Sequence, residues 1–475
     1  MKRFLMWLDI LGFDEPIEKI AEISQRTDSA AIRREFANII DERITICANK
    51  GYITGKCREK DTWILVVDSL ERVFRAIGCI LHHSSSYKSP EKIPLEIAVG
   101  VEEYEETAKL DGEDLFYQKP TIRFLKTHLT DHYRKLYRQI YNGKPPTETF
   151  VIFTKAFFQD LEPLDREFCR EITCKNLKSD GTEETITFFS ADIQKVERRS
   201  KIYDFLENIG KPESKSYDRI DELYVPPKEY EEIKKLLKDQ QIVFITGTAE
   251  YGKTYTAVRL LWEYFMEGYK PIWAEGGSER QRREVSKRLE DIGTELRPGC
   301  AIYFEDPFGK TTYECRESLE REIGAVIDQV HSTSDVHVII TSREEVFKEF
   351  EKAKLSVATI REFERKLNIR RPSYDASERN KMLLGWAKAK ECQWLEDNQL
   401  KSSILEEIRN EKMLPTPLSI KDFAIATSGM TDRKKLLIKI REKSMETSKS
   451  FAREIMICLM TDSSSFLFRL FRGCR

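Results

Sequence analysis

No stretch of the 475-residue chain reaches the ~18–20 uninterrupted apolar residues that a membrane-spanning helix needs. The opening run Met1–Phe13 is broken by Asp9 and leads to no small-residue cleavage site, so it does not read as a secretory signal. Both absences make the cytoplasm the expected compartment and a membrane partner unexpected. Charge of one sign is also lacking: 79 Lys and Arg stand against 81 Asp and Glu, a net charge of −2. That balance excludes a globally basic nucleic-acid coat and an acidic solvating tail, although a local basic patch remains open. The ten Cys follow no repeated spacing and form no CxxC. Reduced thiols are the expectation for a chain this large. His128 and His132 can share a helix face, but with no third ligand they do not read as a metal site.

What is present is 40% apolar residues, enough for real cores, and at ~100–200 residues per domain the length suggests about three. The clearest boundary is the polar, turn-rich stretch from Gly210 to Asp218, followed by Tyr224-Val225-Pro226-Pro227. Beyond it, short apolar runs at Gln241–Thr246, Pro271–Ala274, Cys300–Phe304 and Val336–Thr341 predict strands. Helical patterns at Thr254–Phe265, Glu279–Ile292 and Arg316–His331 alternate with them. Continuous apolar strands alternating with helices predict a parallel sheet covered on both faces. After about Pro372 only helical periodicity remains. The first part is α/β in another arrangement. Strands are expected at Phe4–Leu8, Trp63–Val67, Leu95–Val101 and Phe150–Phe153, and helices at Ala30–Lys50, Leu70–His82 and Pro120–Tyr141. A hairpin is expected around Ser179-Asp180-Gly181.

Gly247-Thr248-Ala249-Glu250-Tyr251-Gly252-Lys253-Thr254 fits GxxxxGK[ST] without a mismatch, between a predicted strand and a predicted helix. There the loop amides and the helix N-terminus can wrap phosphates, Lys253 can reach the β- and γ-phosphates, and the Thr254 hydroxyl can bind Mg²⁺. Tyr255 continues that loop into the helix. Downstream, an apolar strand ends in Glu305-Asp306-Pro307-Phe308-Gly309. The first acid suits the Mg²⁺ shell and the second suits polarisation of an attacking water. Arg343, at the tip of the next strand, is placed to sense a γ-phosphate.

These segments resemble the STAND branch of P-loop NTPases, and Glu305–Gly309 is similar to the D-[D]-P-[FW]-G motif of a novel STAND subgroup, with Glu in place of the first Asp. The resemblance covers about Leu223 to Thr427. It implies ATP and ADP as ligands, a base-side loop at Tyr224, Val225 and Pro226, and a helical domain whose Pro417 packs near the base. It also implies a switch in which ADP holds a closed form and ATP permits homodimerisation or higher assembly. The tail after Ser463 departs from the amphipathic pattern before it, as a truncated helical domain would.

Near the start, Asp9-Ile10-Leu11-Gly12-Phe13 closes an apolar run, and Lys60-Asp61 precedes another. Two carboxylates on neighbouring strand ends can hold paired Mg²⁺ ions against a triphosphate. Asp9–Phe13 resembles the D-[IV]-x-G-F start of class III nucleotide cyclases, which implies a ferredoxin-like α/β domain with Asp9, Ile10 and Asp61 at the metals. Lys60 stands where that family has Gly, and its Asn-x-x-x-Arg is not found. An active cyclase and a binding or dimerising module of the same fold both remain open. The domains expected are therefore a cyclase-like domain over 1–195, a linker over 196–222, a P-loop domain over 223–371 and a helical domain over 372–475. The basic run Arg280–Arg288 reads as a solvated helix face, so nucleic acid is a lesser alternative.

Overall fold

The structure is a computed structural model. It describes residues 2–10, 28–59, 62–81, 97–105, 149–177, 183–275, 296–309, 319–352, 362–367 and 373–446. The expected helices Pro120–Tyr141 and Glu279–Ile292, the Ser179–Gly181 turn, Asp61, His128, His132 and the tail lie outside the described residues. The chain divides into two compact units, Met1–Asp204 and Phe205–Arg475.

In the first unit, β1 (Lys2–Ile10), α1 (Ser29–Asn49), β2 (Gly55–Glu59), β3 (Thr62–Val67), α2 (Leu70–Leu81) and β4 (Ile97–Glu105) follow the order βαββαβ. The strands lie in the order β2-β3-β1-β4, each antiparallel to its neighbours. This is the ferredoxin-like arrangement. Strand β5 (Phe150–Thr154) adds to β4 in parallel. After α3 (Lys155–Asp160) and α4 (Pro163–Arg166), the antiparallel pair β6 (Cys169–Leu177) and β7 (Glu183–Ala191) completes seven strands. Phe4, Met6 and Leu8 alternate on one face of β1 and pack in one core with Ile40 and Ile44 of α1 and Phe74 and Ile77 of α2. Asp28 caps α1 by accepting the Ala31 N–H at 3.0 Å. Helix α5 (Ile193–Ile209) comes so close to α2 that a Cβ on Gly78 would lie 2.1 Å from Ser200 Oγ. A buried Arg199–Asp165 ion pair at 3.4 Å lies in the same unit.

In the second unit a 3₁₀ turn (Pro212–Tyr217), α6 (Ile220–Leu223) and α7 (Tyr230–Gln240) precede the sheet. Its strands are β8 (Ile242–Gly247), β9 (Lys270–Glu275), β10 (Cys300–Glu305), β11 (Val336–Arg343) and β12 (Glu364–Leu367). They are all parallel, in the order β12-β8-β11-β10-β9. Helices α8 (Lys253–Met266), α9 (Leu319–Ser332) and α10 (Glu344–Lys352) connect or follow them. The β8 run is buried throughout, which is why it reads as a continuous apolar segment.

The helical part holds α11 (Ala376–Ala389), α12 (Asn398–Glu407), α13 (Pro417–Ala426) and a further helix, α14, over 433–446. Asp375 with Glu378, and Thr416 with Ser419, form capping boxes that fix where α11 and α13 begin. Their core includes Leu383, Trp394, Ile404 and Phe423, and it takes in Val225 and Tyr374. Among the described residues no helix is long and apolar enough to cross a membrane.

Candidate functional site

Strand β8 delivers the chain to Gly247, whose φ is 148°. A Cβ there would sit 2.4 Å from the Leu367 carbonyl oxygen of β12, so backbone packing requires glycine. The loop then rises through Glu250, with φ of 68°, to Gly252, with φ of 82°, which caps α8. Lys253 is the first residue of that helix and is buried. Its Nζ donates to the carbonyl oxygens of Gly247 at 3.0 Å and Thr248 at 2.8 Å, so the ammonium is held inside the curve of the loop. Thr254 Oγ1 donates to Glu305 Oε1 at 3.2 Å, which joins the start of α8 to the tip of β10.

Because the sheet is parallel, the carboxyl ends of its strands meet on one edge. In register, Glu305 faces Thr341 and Arg343 faces Gly247. The Asp306 N–H donates to the Thr341 carbonyl at 3.2 Å, and Asp306 has φ of 45°. Phe308 is buried against Phe350, ring centres 4.3 Å apart, and anchors the turn after the two acids. Tyr303 is fully buried behind them and shares a 3.1 Å hydrogen bond with Thr341 Oγ1. Burial, then the nearby Glu305 and Asp306 charges, push its phenol well above the ordinary range. Thr246 Oγ1 donates to Glu364 Oε1, tying β12 to β8 just below the loop.

Beside the loop lies a cavity of about 320 Å³. Of the residues singled out by sequence, Tyr224, Val225, Glu250, Gly252, Lys253, Thr254, Tyr255 and Pro417 line it. Pro226, Gly247, Thr248, Ala249, Tyr251, Glu305, Asp306 and Arg343 are not in its wall, although Glu305 is hydrogen-bonded to Thr254, which is. Asp9 and Ile10 end β1 of the other unit, with Asp9 opposite Thr62 in β3. The described register stops one position short of Asp61, so the proposed carboxylate pair is not within the described residues.

The cavity also has walls that sequence reasoning missed: Tyr217 from the 3₁₀ turn, Tyr374, Met382 and Trp386 at and within α11, and Leu418 and Lys421 in α13. Tyr374 Oη lies 3.1 Å from where a Gly252 Cβ would be, and Pro417 Cγ lies 3.7 Å from it. Tyr224 Oη donates to Thr256 Oγ1 at 3.2 Å. Burial, followed by Tyr374 and Tyr230, raises the Tyr224 phenol well above its usual range, so it acts as a neutral group. Tyr217 packs its ring against Tyr255 at 4.7 Å and Trp273 at 5.7 Å. The sequence signal nearest to these walls is the pair of capping boxes, which place the starts of α11 and α13 but not their approach to the loop.

Residues 224–388 match the family model of novel STAND NTPase 3. No curated protein matches the chain. Among solved structures it is similar to domain III of the Thermotoga maritima replication initiation protein DnaA. Identity is 14% and the TM-score 0.32, over 47% of this chain and 95% of that one. It is also similar to the non-canonical dimeric guanylyl cyclase domain of the RhoGC fusion protein from Blastocladiella emersonii. That match has 12% identity and a TM-score of 0.24, over 40% and 93% of the two chains. A third similarity is to C. elegans PCH-2, at 16% identity and a TM-score of 0.29, over 54% and 69%. None of the three structural likenesses carries an argument at these scores. The family match supports the P-loop NTPase resemblance of the middle of the chain.

Proposed function

We propose that this protein is an ATP-binding and ATP-hydrolysing switch of STAND type. The observation that carries the reading is the junction of Lys253, Thr254 and Glu305: an ammonium inside the loop, and a hydroxyl and carboxylate 3.2 Å apart beside it. Two hard oxygen donors at that spacing suit Mg²⁺, which would neutralise the β- and γ-phosphate charge when bound. Lys253 would exchange its two carbonyl partners for phosphate oxygens. Asp306 would polarise the attacking water, and Arg343 would read the γ-phosphate from the tip of β11. The apolar wall residues Val225, Met382 and Trp386 suit a planar base.

The switch follows from which parts build the cavity. The loop, the segment 216–225 and the helical part all contribute walls, so a bound nucleotide would favour the arrangement in which all three meet. ATP and ADP differ only at the γ-phosphate, and the strand-tip residues are the ones placed to convert that difference into a change of conformation and assembly. The front unit would be the module whose assembly is controlled.

The test is nucleotide binding and phosphate release by the full chain and by Lys253→Ala. Removing the ammonium is expected to weaken ATP binding by about a hundredfold or more, since hydrogen bonds to charged groups are worth ~1.5–3 kcal/mol each. A folded Lys253→Ala variant with unchanged affinity would overturn the reading.

A further inference from the structure

Lys421 lies in α13, one turn beyond Pro417, and it too lines the cavity. Its Nζ sits 5.0 Å from the ring centre of Trp386, on the opposite helix α11. The residue is only partly exposed, and burial lowers its pKa from the ordinary lysine value, with Lys390 acting in the same direction and Asp422 against it. Among the described residues Lys421 makes no ion pair. The ammonium lines the cavity and, among the described residues, its contact is the face of Trp386, which leaves its N–H groups available to a ligand or to water.

The position says which part of a nucleotide it would meet. Pro417, at the start of α13, lies beside Gly252 at the phosphate-cradling loop. Lys421 stands a helical turn further on, ~6 Å along the axis, over Trp386. Among the described residues Glu250 is the only acidic one in the cavity wall, and it belongs to the loop. Outside the loop, the cavity wall thus offers the Lys421 ammonium and no carboxylate.

Resting on the reading of this cavity as a nucleotide site, we propose that Lys421 is a nucleoside-contacting residue. Its Nζ donates to an acceptor on the base or sugar while Trp386 supports its aliphatic stem, so the helical part recognises the nucleoside half of the ligand independently of the phosphates. A lysine can only donate, so it matches a ring nitrogen, carbonyl or sugar oxygen and not an exocyclic amine.

The experiment is isothermal titration of the full chain with ADP and, separately, with inorganic pyrophosphate, for wild type, Lys421→Met and Lys421→Arg. Lys421→Met keeps the stem on Trp386 and removes the donor. It is expected to weaken ADP about tenfold or more while leaving pyrophosphate unchanged, and Lys421→Arg is expected to recover most of the loss. Should Lys421→Met not fold, Lys421→Gln carries the same expectation. Wild-type ADP affinity in the folded variant overturns the proposal and leaves the nucleotide reading intact. Equal weakening of ADP and pyrophosphate also overturns it, since Lys421 would then act on the phosphates. Wild-type protein that binds neither probe overturns the cavity reading itself.

Discussion

Both units carry an acidic residue at the end of a buried strand, and the two sheets treat it differently. In the second unit the sheet is parallel, so β8, β10 and β11 end on one edge, with Gly247 opposite Arg343 and Glu305 opposite Thr341 two residues earlier. In the first unit β1 runs against both β3 and β4, so its end meets the start of β3, at Asp9 opposite Thr62, and the start of β4, at Ile10 opposite Ile97. A parallel sheet concentrates strand tips, loops and helix N-termini on one side without further design. An antiparallel sheet must build a comparable cluster from a turn and the strand beside it. An acidic residue at a strand end therefore has different company in the two halves of the chain.

The sharpest way to break that comparison is to neutralise one acid in each unit and follow both reactions. Asp306→Asn is expected to keep Mg·ATP binding and to slow phosphate release about a hundredfold, the lower range for loss of a general base. Undiminished turnover would transfer the role to Glu305. Asp9→Ala and Asp61→Ala bear on cyclic-nucleotide formation, read by mass spectrometry after incubation with ATP, GTP, CTP or UTP and a divalent metal. If the wild type forms a cyclic product, either variant is expected to abolish it. If no nucleotide yields one at any protein concentration, the front unit is a binding or dimerising module.

A smaller effect separates two close backbone approaches. Gly247→Ala would force a Cβ against a carbonyl oxygen at 2.4 Å in a backbone region with φ of 148°. Gly78→Ala would meet the Ser200 side chain at 2.1 Å between two helices of the other unit. We expect about 2–4 kcal/mol of destabilisation for Gly247→Ala and about 1–3 kcal/mol for Gly78→Ala. Only Gly247→Ala should also impair nucleotide binding. Denaturant titrations of each variant with and without ADP check both points, and equal loss of binding would erase the distinction.

The apolar runs make the parallel sheet legible in the sequence, because strands buried on both faces leave unbroken segments such as Ile242–Ile245 and Val338–Ile340. The loop from Gly247 to Thr254 is legible because its chemistry is local. Two of the edge strands are not: β2 reads Gly-Lys-Cys-Arg-Glu and β12 Glu-Arg-Lys-Leu, and neither shows the apolar content of a buried strand. The walls given by Tyr217, Tyr374, Trp386 and Lys421 are illegible for another reason. Each is an ordinary residue of its own segment, and its role depends on contacts across long separations in the chain.

The smallest expected effect concerns His337, whose Nδ1 lies 3.2 Å from the Leu237 carbonyl and whose ring lies 4.2 Å from that of Tyr264. Burial lowers its pKa below the ordinary 6.5, with Asp335 and Glu267 opposing. The unfolded chain therefore takes up a proton more readily. The contribution to stability is complete above pH ~6.5 and is lost as pH falls through the folded value. His337→Gln should flatten that part of the pH–stability curve slightly, and thermal melts between pH 5 and pH 8 would detect it. An unchanged slope would show that other groups govern the acid limb.

Asp306 occupies the left-handed region at φ 45°. Gly accepts that conformation without a Cβ penalty, and Asn tolerates it as Asp does. Both are also one nucleotide change away from either aspartate codon. The commonest single-step mutations tolerated by the backbone here thus remove the carboxylate while leaving the loop, Lys253 and the cavity in place. On the proposed reading, such a lineage would lose its timer before it lost its grip, passing from a switch that resets itself to one that must be reset by exchange.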